Sequence, residues 1–192
     1  MSKSFFAYLN RMKLIERWSL MRSTTKENVM EHSAQVAQIA HALAIINNVY
    51  FNGTADANLC TTLAVFHETS EVITGDLPTP IKYNNAEIKT AYKKLEDSAN
   101  KRLLTTLPKD MQAKYAPLIS PDMDSYEARL AKAADRLAAY IKCIEELKSG
   151  NTEFKKAERT ILDSILVNPL PEVTYFLEHF IPPFKLTLDE LD

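Results

Sequence analysis

Glycine and cysteine are scarce: three glycines and two cysteines stand among 192 residues. Without a glycine-rich segment there is no GxxxxGKS or related cradle of backbone amides, so phosphate charge has to be met by a metal or by side chains. Cys60 and Cys143 form no CxxC pair, which argues against a zinc ribbon or dithiol centre and agrees with a reducing cytosol; both are expected as core thiols. An excess of either charge is missing as well. Lys plus Arg (23) nearly cancel Asp plus Glu (25), leaving no basic field to hold polymeric nucleic acid. Nor is there an uninterrupted apolar run. In MSKSFFAYLNRMKLIERWSLMR, Lys13, Glu16 and Arg17 break any secretory or membrane-spanning reading, so a cytoplasmic protein with no membrane partner is expected. With no internal repeat, linker or low-complexity tract, residues 1–192 read as one domain.

Helical periodicity is present throughout, and strand alternation is not, so the expected fold class is all-α. From about Glu27 to Asn47, the positions Val36, Ile39, Leu43 and Ile46 mark one apolar face, and His32 extends it by a turn. A second helix is predicted from about Asp56 to Ile73, capped by Asp56 or Asn58, with Leu59, Leu63 and Phe66 buried and Gly75 ending it. TGDLPTP, residues 74–80, reads as a stiff loop because each proline disfavours helix at the residue before it. An amphipathic helix with Ile88, Tyr92, Leu95, Ala99 and Leu103 on one face follows over Ala86 to Leu107. The strongest pattern covers Ser125 to Lys148, with Leu130, Ala134, Leu137, Ala138, Ile141 and Ile144 buried and Gly150 just past its end. Two more helices are expected near Glu153 to Leu166 and Pro171 to Phe180.

The residues able to do chemistry lie on these segments. On a continuous helix, FHETSE sets His67 and Glu71 one turn apart on one face, with Glu68 offset by about 100°. Imidazole and carboxylate suit a borderline divalent ion such as Mn, Co, Fe or Zn, although a lone His-Glu pair on an amphipathic helix is more often structural. Asp135 sits among Ala131, Ala134, Leu137 and Ala138, where a carboxylate needs a cation, strong hydrogen bonds or an arginine such as Arg17 or Arg102. His32 has the same two readings: ligand, or hydrogen-bonded core histidine. The core reading is preferred for His41, which has no acidic neighbour, and for His179 in an aromatic helix.

The order of these groups, histidine, then histidine with an acid, then a distant aspartate, resembles the HD-domain metal-dependent phosphohydrolases, and specifically the YfbR-type 5′-deoxynucleotidases. The segments carrying the resemblance are RMKLIERWSLMR (11–22), ENVMEHS (27–33), FHETSEVITGDLPTPIKY (66–83), KAADRLAAYIKCIEEL (132–147) and the terminal FIPPFKLTLDEL. GDLPTP together with the RW pair is far more specific than the histidines. The resemblance implies an HD-domain-like helical bundle, generally a homodimer, that hydrolyses deoxyribonucleoside 5′-monophosphates with one divalent cation, cobalt, manganese or another borderline ion. It assigns the metal to His32, His67, Glu68 and Asp135, the catalytic acid to Glu71 and phosphate orientation to Arg17. Trp18 accompanies Arg17 in the pocket, and Asp76, Leu77, Pro78 and Thr79 form the substrate loop. Asp76 is expected to share the acid–base task, and His32, Glu68 and Asp135 also face substrate. The family signature has His followed by Asp where this chain has Glu68, one methylene longer. Two rivals therefore stay open: another HD-type nucleotide phosphohydrolase, and a non-catalytic nucleotide-binding or regulatory dimer.

Overall fold

The periodic segments fold as helices in the computed structural model, which describes residues 3–82 and 84–191. Tyr83, the last residue of the segment FHETSEVITGDLPTPIKY, lies outside the described residues, as do Met1, Ser2 and Asp192. The helices are α1 (Phe5–Leu9), α2 (Val29–Tyr50), α3 (Ala57–Phe66), α4 (Glu71–Thr74), α5 (Thr79–Lys82), α6 (Ala86–Leu104), α7 (Lys109–Ile119), α8 (Tyr126–Lys148), α9 (Lys155–Leu166) and α10 (Pro171–His179). Among the described residues there is no strand, only an isolated antiparallel bridge between Glu16 and Asn28, so the all-α expectation holds. No helix among them is long and apolar enough to cross a membrane.

Local capping sets where the helices start. Asn28 Oδ1 accepts from the amides of Met30 and Glu31, while Glu31 Oε2 accepts from the Asn28 amide at 3.1 Å; this reciprocal box caps α2 three residues before His32, counted from Val29. Asp56 caps α3 through the amides of Asn58 and Leu59, Asn85 caps α6, and Ser125 caps α8.

The chain divides into two compact units. The first comprises Met1–Arg22, Lys26–Ser33 and Phe66–Asp122; the second comprises Ser23–Thr25, Ala34–Val65 and Met123–Asp192. The core of the first gathers Phe5, Leu103, Leu107 and Ile119, with Phe66, Val72, Ile73 and Tyr115 packed against them. Two of its helices, α1 and α7, fall in stretches where the sequence gives no helical stripe. Phe5, Phe6 and Tyr115 hold them through edge-on aromatic contacts, and α7 carries Pro117 inside it. Within the expected loop, residues 79–82 form a short turn of helix because the amides of Ile81 and Lys82 reach the Pro78 carbonyl.

The second unit is organised on α8, whose predicted apolar positions are all buried and which packs along α9. Cys60 and Cys143 are buried free thiols, as expected. Leu59 and Leu95 are corrections, at 37% and 50% exposed, and both His41 and His179 lie on the surface rather than in a core. Deep in this unit, Glu146 is 1% exposed and accepts from Lys142, from the amides of Thr24 and Thr25, from the Thr24 hydroxyl and from Asn151. Burial works against ionisation there, but Lys142 and the donors from Thr24 and Asn151 prevail and hold the carboxyl down to about 2.

A folded value below the unfolded one stabilises above the ordinary 4.5 and is lost as pH falls through about 2. Glu146→Gln is therefore expected to cost about 3 kcal/mol at neutral pH. Urea unfolding across a pH series checks this, with the gap between parent and variant closing toward pH 2.

Candidate metal centre and its acidic surround

α2 begins three residues before His32, and α3 ends at Phe66, so both histidines stand near helix ends rather than mid-helix. His32 is 1% exposed, and its ring centroid lies 5.4 Å from that of His67. One ligand atom each from His32, His67 and Glu68 falls within 4.8 Å of the others. His67 Nε2 is 3.4 Å from Glu68 Oε1. Two imidazoles and a carboxylate at this spacing fit a borderline divalent cation by donor chemistry and by convergence.

The expected continuous helix through His67, Glu68 and Glu71 is not formed. Residues 67–70 make a turn between α3 and α4, because the Thr69 hydroxyl and amide both bond back to the Phe66 carbonyl and the Glu71 amide bonds to Glu68 three residues earlier. Thr69 competes with the helical ladder in this way. The break, not helical periodicity, sets the relation of Glu71 to the histidines. Glu71 is 4% exposed and hydrogen-bonds to Glu68; its Oε2 is buried with no hydrogen-bond partner among the described residues. Burial, then the charges of Glu68 and Asp76, push its carboxyl up to about 10. Gly75, at φ 71°, closes α4 by donating its amide to the Glu71 carbonyl, a backbone conformation that favours glycine. Asp76 follows at once. Burial raises its carboxyl, Glu68 adds to this, and Arg17 and Lys82 oppose it. Leu77 and Pro78 are half-buried beside it and Thr79 is exposed. Tyr92 of α6 donates to the Gly75 carbonyl, and Lys82 pairs with Glu96 at 2.8 Å, tying the loop to that helix.

Arg17 and Trp18 lie at a bend that follows the Glu16–Asn28 bridge. The Arg17 amide donates to the Glu27 carbonyl and the Val29 amide to that of Ile15, so this strap runs beside the start of α2. The guanidinium is strung between two acids: Nε is 3.2 Å from Glu27 Oε2 and Nη1 is 3.9 Å from Glu68 Oε1. Trp18 has φ 58°, a rare conformation for a bulky residue that costs on the order of 1–3 kcal/mol, and its indole N–H donates to the same Glu27 oxygen at 3.0 Å. Glu27 is a further acid of this group, to which neither helical periodicity nor motif resemblance assigns a role. Its signal in the sequence is slight, an acid in the polar run KENVME, and only pairing across the strap reveals its partners.

The predicted residues of the first unit therefore come together: His32, His67 and Glu68 around one point, with Arg17 3.9 Å from the Glu68 carboxylate, Glu71 hydrogen-bonded to it and Asp76 within its field. Asp135 belongs to the second unit. It lies on α8, is 8% exposed, and pairs with Lys132 at 2.5 Å.

For Glu71 the folded value lies above the unfolded 4.5, so ionisation of the unfolded chain increasingly opposes folding as pH rises from 4.5 toward about 10. In metal-free protein, Glu71→Gln is expected to raise the melting temperature at pH 8 and to leave it nearly unchanged near pH 4.5. Thermal unfolding in chelator at both pH values measures this; a variant equal to the parent at pH 8 would contradict it.

The fold and sequence have close counterparts. An HD-domain phosphohydrolase from Listeria innocua superposes with a TM-score of 0.84 at 23% identity, covering 94% of this chain and 88% of its own. The cyanophage S-2L HD phosphohydrolase, solved bound to dA and one catalytic Zn2+ ion, superposes with a TM-score of 0.63 at 17% identity, covering 92% and 95%. The fold is thus the HD-domain helical fold. A 5′-deoxynucleotidase of Vibrio vulnificus is 50% identical over 188 residues, 97% of each chain, and one from Yersinia pseudotuberculosis is 50% identical over 97% of this chain and 95% of its own. The model of the family described as 5′-deoxynucleotidase YfbR-like matches residues 4–184, and to that family this chain belongs.

Proposed function

We propose that the chain hydrolyses deoxyribonucleoside 5′-monophosphates to deoxynucleoside and phosphate, with His32, His67, Glu68 and Asp135 holding one divalent cation, cobalt, manganese or another borderline ion. The observation that carries this reading is the convergence of His32, His67 and Glu68 within 4.8 Å, with the Arg17 guanidinium against the same Glu68 carboxylate. Asp135 supports it as a carboxylate buried on an alanine-rich helical face, where charge needs a counterion. The curated relatives are named 5′-deoxynucleotidases, and the cyanophage neighbour was solved with dA and zinc.

A bound divalent cation supplies positive charge that stabilises phosphoryl oxygens and lowers the proton affinity of water toward neutrality. The chain's own residues do the rest. Arg17 presents its Nη edge beside Glu68, where a planar fork can take two phosphate oxygens while staying charged. Glu71 takes a proton from water or returns one to the leaving 5′ oxygen through a carboxylate oxygen, a role worth about 10²- to 10⁴-fold. Asp76 shares this wall of the pocket, and Leu77, Pro78 and Thr79 line the substrate side. Trp18 lays an apolar face against the sugar, where a ribose 2′-hydroxyl would be buried without a partner.

The match over residues 4–184 spans both compact units, which supports reading residues 1–192 as one functional domain. Free buried cysteines support a cytoplasmic location. A homodimer is supported by exposed apolar side chains, Tyr50 and Phe180 among them.

Phosphate release from a panel of ribo- and deoxyribonucleotides with Mn, Co and Mg tests the reading. Deoxyribonucleoside 5′-monophosphates are expected to be the substrates. Asp135→Ala should lower kcat/KM by at least about a hundredfold, and Glu68→Asp, which restores the family residue, should retain or raise activity. Preference for cyclic or triphosphate substrates would assign a neighbouring HD-type activity, and binding without turnover would assign a regulatory role.

A further inference from the structure

Glu27 lies ten residues after Arg17 and five before His32, and it meets the pocket in four ways. Its carbonyl accepts from the Arg17 amide at 2.9 Å. Its Oε2 accepts from both Arg17 Nε at 3.2 Å and Trp18 Nε1 at 3.0 Å. Its Oε1 stands 3.8 Å from His32 Nδ1, beyond hydrogen-bond length. The side chain is only 13% exposed, so these contacts are made largely out of water.

The arrangement has a directional consequence. A guanidinium offers five donors in a fixed plane, and taking its Nε edge commits the orientation of the remaining edge. With Nε on Glu27, Nη1 lies toward Glu68, the carboxylate assigned to the cation. The same oxygen takes the indole N–H, which orients a ring whose backbone sits at φ 58°. One acceptor therefore sets two donors on neighbouring residues, one with a phosphate role and one with a sugar role.

We propose that Glu27 is a positioning residue for substrate: through one carboxylate oxygen it fixes the phosphate-facing edge of Arg17 and the sugar-facing plane of Trp18 together. This rests on reading the pocket as a deoxynucleotide site. A purely structural role would act through the backbone pairing of the strap, which uses the Glu27 carbonyl and survives replacement of the side chain. The two roles differ in what they predict for substrate selectivity.

The experiment compares the parent with Glu27→Ala, Glu27→Gln and a neighbouring control, Glu16→Gln, whose exposed carboxylate pairs with Lys26. Readouts are kcat and KM for a deoxynucleoside 5′-monophosphate and its ribo counterpart with cobalt, cobalt affinity by titration, and the emission of Trp18, the single tryptophan of the chain. Glu27→Ala is expected to raise KM for the deoxy substrate by about tenfold or more, to narrow the deoxy-to-ribo ratio and to shift the emission, while cobalt affinity stays within about twofold. Glu27→Gln keeps an acceptor for the indole but not the charge facing Arg17. It should restore emission and ratio while leaving KM raised. Glu16→Gln should match the parent throughout. A folded Glu27→Ala protein with parental KM, ratio and emission overturns the proposal, as does an effect confined to cobalt affinity. If Glu27→Ala does not fold, parental KM in Glu27→Gln overturns it. A parent that releases phosphate from no deoxynucleotide overturns the reading beneath it instead.

Discussion

Carboxylates crowded into a space that water barely reaches are the constraint on which the site depends. Glu27, Glu68, Glu71 and Asp76 all lie in the first compact unit, and Arg17 touches two of them directly. Desolvation and mutual repulsion raise the proton affinities of Glu71 and Asp76, and the guanidinium offsets only part of that. Such a group relaxes by binding protons or by binding a cation, and the two imidazoles of His32 and His67 make the second route available. The metal affinity, acid–base function and phosphate binding proposed for this group thus share one electrostatic origin.

Holding that charge in place requires more backbone than the ligands themselves supply. The strap of residues 15–18 is pinned to the start of α2 by backbone pairing, and Glu27 turns the pairing into side-chain orientation. On the opposite sequence side, the turn at 67–70 and the glycine at 75 deliver Glu68, Glu71 and Asp76 from a short stretch that an unbroken helix would have spread around its axis. Tyr92 and the Lys82–Glu96 pair then fasten the loop to α6. Residues 23–25, which join the strap to α2, are tied within the second unit by Glu146 and Lys142. A buried acid with this many donors serves architecture, whereas Glu71 is buried with one oxygen that accepts no hydrogen bond among the described residues.

The helices with a full apolar stripe are legible in the sequence. α8 follows its expected face residue for residue, and Asp56, Ser125 and Gly150 mark ends where local hydrogen bonding or backbone freedom decides the matter. These features depend on neighbours three or four residues away, so a linear string contains them. The ligand residue types and their order were legible in the same way, through motifs that resemble a known family.

Tertiary structure alone decided the rest. α1 and α7 exist because distant aromatic rings pack on them, and surface or core status for His41, His179 and Leu59 depends on what covers each helix. The side chain of Thr69 breaks the helix that periodicity predicts, moving Glu71 to the head of a new one. Glu27 acquired its place through an antiparallel pairing across ten residues, which no helical period encodes. By itself the sequence determined the local elements and the chemical inventory, because both follow from short-range covalent and hydrogen-bond geometry. Which groups share a pocket, and which proton affinities shift as a result, were decided by long-range packing, because desolvation and Coulomb interactions act through space rather than along the chain.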